Sequence, residues 1–116
     1  MKYWIMRLSH PLHGLVYALR HDSAIQIDTA LGVIGIPLVY FLCGPLTNQE
    51  LLLLVFCWFF VVVTELQNSS IEIALDQVHP EHHAAIGRSK DMAAGAVVWA
   101  AVFGFICLVL VLSGAV

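Results

Sequence analysis

The chain has 116 residues, 60% hydrophobic and only 11% charged, with a mean hydropathy of +0.89. A soluble domain carries about 25% charged residues, so these values exclude one and indicate a single small integral membrane domain. The net charge of −3 argues against nucleic acid as a partner. Cys43, Cys57 and Cys107 lie far apart in apolar runs with no CxxC spacing, which excludes a disulfide framework or a zinc site and leaves them as small packing residues.

The first segment is amphipathic. On a wheel of about 100° per residue, Trp4, Ile5, Leu8, Leu12, Leu15, Val16 and Leu19 share one arc of about 120°, with Lys2, Arg7, His10, His13, Arg20 and His21 outside it. The pattern predicts a helix over residues 1–24 lying in the membrane interface, apolar face down. Pro11 is expected to break it or to start its second half. Asp22 falls on the apolar arc. It either caps a helix boundary or points into a protein site.

Three runs are long enough to cross a bilayer, which takes about 20 apolar residues. They predict spans over about 27–44, 50–77 and 90–115, so the expected fold is all-α, with a surface helix and three transmembrane helices. Pro37 is expected to kink the first span, and Gly44 to Gln49 to form a tight turn. Lys2, Arg7 and Arg20 precede the first span, and Arg88 and Lys90 lie between the second and third. The positive-inside rule then puts the N-terminus in the cytoplasm and the C-terminus outside.

Residues 64–92 interrupt the apolar pattern and hold five of the eight acidic residues. If the second span continues past Val63, then Glu65, Asn68, Glu72 and Asp76, spaced by three, four and four, form one stripe. The stripe covers roughly 16 Å of helix axis. A carboxylate at mid-membrane costs about 2.5–3.5 kcal/mol on the insertion scale. The stripe must therefore face protein or water, and three spans barely enclose it, so a homo-oligomer is expected. Three readings stay open. Asp22 and Glu72 suit Mg²⁺, with Glu65 as a general base. The same carboxylates suit a proton- or cation-coupled transporter subunit. Or the helix simply leaves the membrane with its charges solvated.

His79-Pro80-Glu81-His82-His83 has the composition of a metal site, but without a second cluster it reads better as a solvated turn. Arg88 and Lys90 suit phosphate contacts or positive-inside anchoring, and Ser89 suits a helix cap. There is no P-loop or protein-kinase signature.

Glu65-Leu66-Gln67-Asn68-Ser69-Ser70-Ile71-Glu72, with Asp76 and then Gly87-Arg88-Ser89-Lys90-Asp91-Met92-Ala93-Ala94-Gly95-Ala96-Val97, resembles the prokaryotic diacylglycerol kinase family, which also contains the undecaprenol kinases. The resemblance runs from about Gly14 to Val97. It implies a homotrimeric lipid kinase of the bacterial inner membrane that moves the γ-phosphate of ATP, with Mg²⁺, to a lipid alcohol: diacylglycerol or, alternatively, undecaprenol. By the same resemblance Glu65 is the general base and Asp22 and Glu72 hold the metal. His10, Asp22, Asn68, Glu72, Asp76, Glu81, His82, His83, Lys90 and Asp91 belong to the nucleotide site. Arg7, Asp28, Glu65 and Ala94 belong to the lipid site.

Overall fold

The computed structural model describes residues 2–116, with their side chains except those of residues 2–5 and Leu8. Four helices follow one another: α1 (Lys2–His21), α2 (Ser23–Cys43), α3 (Asn48–Val78) and α4 (Ala84–Leu112). The last three are long and apolar enough to cross a membrane. The protein is thus a multi-pass membrane protein.

Each boundary has a local cause. Helix α1 runs through Pro11, contrary to the expected break. Proline removes one backbone donor there, and the turns on both sides continue. The α1 side chains Leu12, Leu15, Val16 and Leu19 stay exposed, which suits a face laid against lipid. Trp4, Ile5 and Leu8, the rest of the expected arc, and Lys2 lie outside the described side chains. Helix α2 begins four residues before the expected start, because Asp22 caps it by accepting from the Ala24 and Ile25 backbone N–H groups. Pro37 lies inside α2. Gly44, at φ 88°, ends the helix in a conformation that favours glycine. A capping box starts α3: the Thr47 hydroxyl accepts from the Glu50 N–H, and the Glu50 carboxylate accepts from the Thr47 N–H at 2.6 Å.

Helix α4 begins at Ala84, six residues before the expected start, and His83 rather than Ser89 is its cap. The His83 Nδ1 accepts from the Ala85 N–H at 3.2 Å, and Ser89 lies inside the helix. The apolar pattern that marked the span begins only at Met92, so the polar first turns of α4 carry no hydropathy signal. At about 1.5 Å per residue, the 31 residues of α3 reach roughly 46 Å. A hydrocarbon core is about 30 Å thick, so the polar end of α3 extends beyond it.

Helix α3 is the hub. It packs most extensively on α4, then on α2, while α1 packs on α2. Its buried positions Leu54, Cys57, Glu65 and Asn68 form a seam opposite Ala100, Cys107 and Val111 of α4. Two contacts fix this antiparallel register: Lys90 pairs with Asp76, and the Cys107 thiol meets that of Cys57. The side of α2 is locked by a knob in a hole. Gly32 is buried, and the Trp58 indole fills the space where its Cβ would stand. The indole Nε1 donates to the Asp28 carbonyl at 2.9 Å.

Candidate active site

The predicted stripe exists on one continuous helix, but its members face different surroundings. Glu65 and Asn68 are buried, with 9% and 8% of their surfaces exposed. They lie within hydrogen-bonding reach of each other. Among the described residues the Asn68 Oδ1 accepts from no donor. Leaving such a buried acceptor unpaired costs about 1–3 kcal/mol, so the position suits a donor brought by a ligand. Glu72 and Asp76 are exposed. Lys90 on α4 donates to Asp76. Their side chains are 31% and 61% exposed, and an ion pair this open contributes at most about 1 kcal/mol. It acts mainly to aim the lysine.

Glu72 borders a cleft of about 740 Å³ between α1, the start of α2 and the polar end of α3. Asp22, Ser69, Ser70, Tyr17 and His21 also line it. Asp22 caps a helix boundary, one of the two alternatives its sequence position offered, and also borders the cleft. One oxygen caps α2, and the other accepts from the Ser69 hydroxyl across the cleft. That hydroxyl, together with the Ile25 and Ala24 N–H groups, holds the Asp22 carboxyl below its ordinary range, with partial burial opposing. The Tyr17 and His21 rings stack at 4.5 Å on the same wall. Asp28, Asp22 and Glu72 are the carboxylates within electrostatic reach of Glu65. The structure therefore gathers Asp22, Asp28, Glu65, Asn68 and Glu72 around one end of the bundle, with Lys90 and Asp76 on the α4 side.

Other expected site residues stand apart. Arg7 and His10 are exposed, about two turns and one turn before the first cleft residue of α1, Gly14. Glu81, His82 and His83 are exposed in the α3–α4 connection and do not line the cleft. Asp91 and Ala94 are exposed on α4. Among the described residues no group of three or more His, Cys, Asp or Glu side chains is assembled for a metal. Mg²⁺ ordinarily takes only one or two protein carboxylates, with substrate phosphates and water completing its shell. Asp22 and Glu72, both on the cleft, fit that donor set.

The lowered Asp22 carboxyl makes a prediction for metal-free buffer. A depressed folded-state value means that Asp22 contributes stability above the ordinary carboxylate value of about 3.9, and that this contribution is lost as pH falls through the folded value. Asp22→Asn keeps an N-capping side chain. Its thermal midpoint should fall less steeply with acid below about pH 4. A variant whose acid limb matches the parent's would remove Asp22 from that linkage.

A cleft bordered by Asp22 and Glu72 at one end of a three-span helical bundle, with the buried carboxylate of Glu65 nearby on the same helix as Glu72, defines a class: a small polytopic membrane protein with an acidic site at one end. Residues 9–112 match the prokaryotic diacylglycerol kinase family. The chain is 33% identical over 107 residues to a diacylglycerol kinase of Haemophilus influenzae, covering 92% of this chain and 85% of that one. It is also 33% identical over 87 residues to a diacylglycerol kinase of Pseudomonas aeruginosa, covering 75% and 69%. The chain belongs to the prokaryotic diacylglycerol kinase family, a family of lipid kinases.

Proposed function

We propose that this protein transfers the γ-phosphate of ATP to the hydroxyl of a membrane lipid, forming phosphatidic acid from diacylglycerol. The carrying observation is the placement of two carboxylates, Asp22 and Glu72, on one open cleft, with the buried Glu65 two turns before Glu72 on α3. Phosphoryl transfer asks a protein mainly for positioning and electrostatic stabilisation. Glu65 takes the proton of the lipid hydroxyl, and the open Asn68 Oδ1 accepts a hydrogen bond from the substrate beside it. Lys90, held by Asp76 on the α4 side of α3, supplies positive charge toward the phosphates. Asp22 and Glu72 would hold Mg²⁺, which offsets the negative charge of the phosphates. Helix α1 lies along the interface in this reading, so lipid arrives from the bilayer side and nucleotide from water.

The little burial inside one chain suits association with further copies, and we infer a homotrimer in the bacterial inner membrane with the N-terminus cytoplasmic. The test is transfer of radiolabelled γ-phosphate in mixed micelles, with diacylglycerol and undecaprenol side by side. We expect magnesium-dependent labelling of diacylglycerol. Labelling of undecaprenol alone would reassign the lipid, and labelling of neither would overturn the reading.

A further inference from the structure

Cys57 and Cys107 stand far apart in the chain, and the fold brings them together. Both are buried, with 5% and 4% of their surfaces exposed, and their thiols are in hydrogen-bonding contact across the seam of α3 and α4. The phosphate transfer proposed above uses neither. We propose that they form a paired oxidation site, in which an organic hydroperoxide dissolved in the bilayer oxidises Cys57 and Cys107 resolves the product into a disulfide joining α3 to α4. The inference stands apart from the lipid-kinase reading.

The packing of the two helices supports the pairing independently. Going from Asp76 back to Cys57 covers 19 residues of α3, and going from Lys90 on to Cys107 covers 17 of α4. The Asp76–Lys90 ion pair and the two thiols therefore belong to one antiparallel register. A Cβ at Gly104, one turn before Cys107, would stand 3.7 Å from the Cys57 Cβ, so the helices approach closely at this level. Groups held in contact by packed helices react with each other ahead of groups on other chains.

The two thiols are unequal in access. Cys57 lines an open apolar trough of about 360 Å³ between α2, α3 and α4, and Cys107 does not. Cys57 lies nine residues after Asn48 and eight before Glu65, about 12–14 Å from each. That is near the middle of a hydrocarbon core about 30 Å thick. A charged oxidant is excluded from that depth, because an ion is costly to bury without a partner. An uncharged apolar oxidant is not. Cys57 is thus the thiol attacked from the trough, and Cys107, behind it, is the resolving thiol.

Each step balances. The Cys57 Sγ attacks the terminal oxygen of the hydroperoxide, the O–O bond breaks, and the thiol proton passes to the departing oxygen. The products are an alcohol and a sulfenic acid. The Cys107 Sγ then attacks the Cys57 sulfur, the S–O bond breaks, and the hydroxyl leaves as water with the Cys107 proton. The hydroperoxide gains two electrons and the pair of thiols loses two. The bond closes a loop of about 50 residues and restricts the unfolded chain.

The test uses the full chain in liposomes of saturated phosphatidylcholine, with the exposed Cys43 changed to alanine. After treatment with cumene hydroperoxide the protein is unfolded in detergent with a maleimide, and its intact mass is measured. We expect the loss of two hydrogens, no added maleimide and a single chain on a non-reducing gel. The unfolding midpoint should rise by several degrees over that of the reduced protein. Tetrathionate, a dianion, should react at least about tenfold more slowly. Two free thiols, added oxygen without a disulfide, a disulfide between chains, or equal rates with both oxidants overturns the proposal. The order of the thiols has its own readout. Cys107→Ser should leave Cys57 as a sulfenic acid that dimedone traps, and Cys57→Ser should leave Cys107 a free thiol. A Cys107 that reacts as fast without Cys57 overturns the assignment. The mass measurement needs no substitution in the buried pair, so it decides the proposal even where a buried variant fails to fold.

Discussion

Glu65→Gln should abolish phosphate transfer while leaving the helices assembled. The substitution keeps size and shape at a position with only 9% of its surface exposed, so it opens no cavity. It keeps hydrogen-bonding capacity toward Asn68. It removes the one property the proposed role requires, the ability to accept a proton. A positioned general base contributes about 10²–10⁴ in rate, and kcat should fall by that factor. The KM for ATP should change little, because the cleft proposed for the nucleotide is lined by Asp22, Ser69 and Glu72 rather than by Glu65. Single-turnover transfer, with circular dichroism and cross-linking as controls, checks both halves. A folded variant that kept most of its activity would remove Glu65 from the role of base.

How much of this was legible in the residues depended on whether the signal was local. The three spans followed from apolar runs, and the continuation of α3 followed from the spacing of Glu65, Asn68, Glu72 and Asp76. Boundaries failed where polar residues cap or open a helix. Asp22 begins α2 and His83 begins α4, and neither capping bond has a hydropathy signature. The stripe was visible as one face, but its division between burial at Glu65 and exposure at Glu72 depends on which neighbours α3 meets. Ser69 was visible only as a neighbour of the stripe, and its bond to Asp22 spans 47 residues. Tyr17 and His21, four apart just before Asp22, carried a local signal for a stacked pair that composition alone does not weigh. The Gly32–Trp58 contact carried none, since a glycine and a tryptophan in two apolar runs look like any other span residues.

That contact sets the second large effect, a loss of stability on Gly32→Ala. The new methyl would stand 2.1 Å from the Trp58 Cε2 and Nε1. The group in the way is a rigid bicyclic ring, not the free end of a flexible chain, so the indole must move as a body. Overpacking of this kind costs about 1–3 kcal/mol. Moving the indole also breaks its bond to the Asp28 carbonyl, worth about 0.5–1.5 kcal/mol. The unfolding midpoint in detergent should fall clearly below the parent's. Trp58→Phe alone should cost about the hydrogen bond, because a smaller ring still enters the Gly32 hole. In the double variant the methyl has room, so the two costs should fall short of adding by about 0.5–3 kcal/mol. Strict additivity would mean that Gly32 and Trp58 are independent and that the ring does not fill the glycine's space. The same pair bears on the proposed chemistry, because the indole fixes the backbone of Asp28, a carboxylate within electrostatic reach of Glu65. Trp58→Phe should therefore raise the KM for lipid more than that for ATP, and equal changes in both would show that the tie serves packing alone.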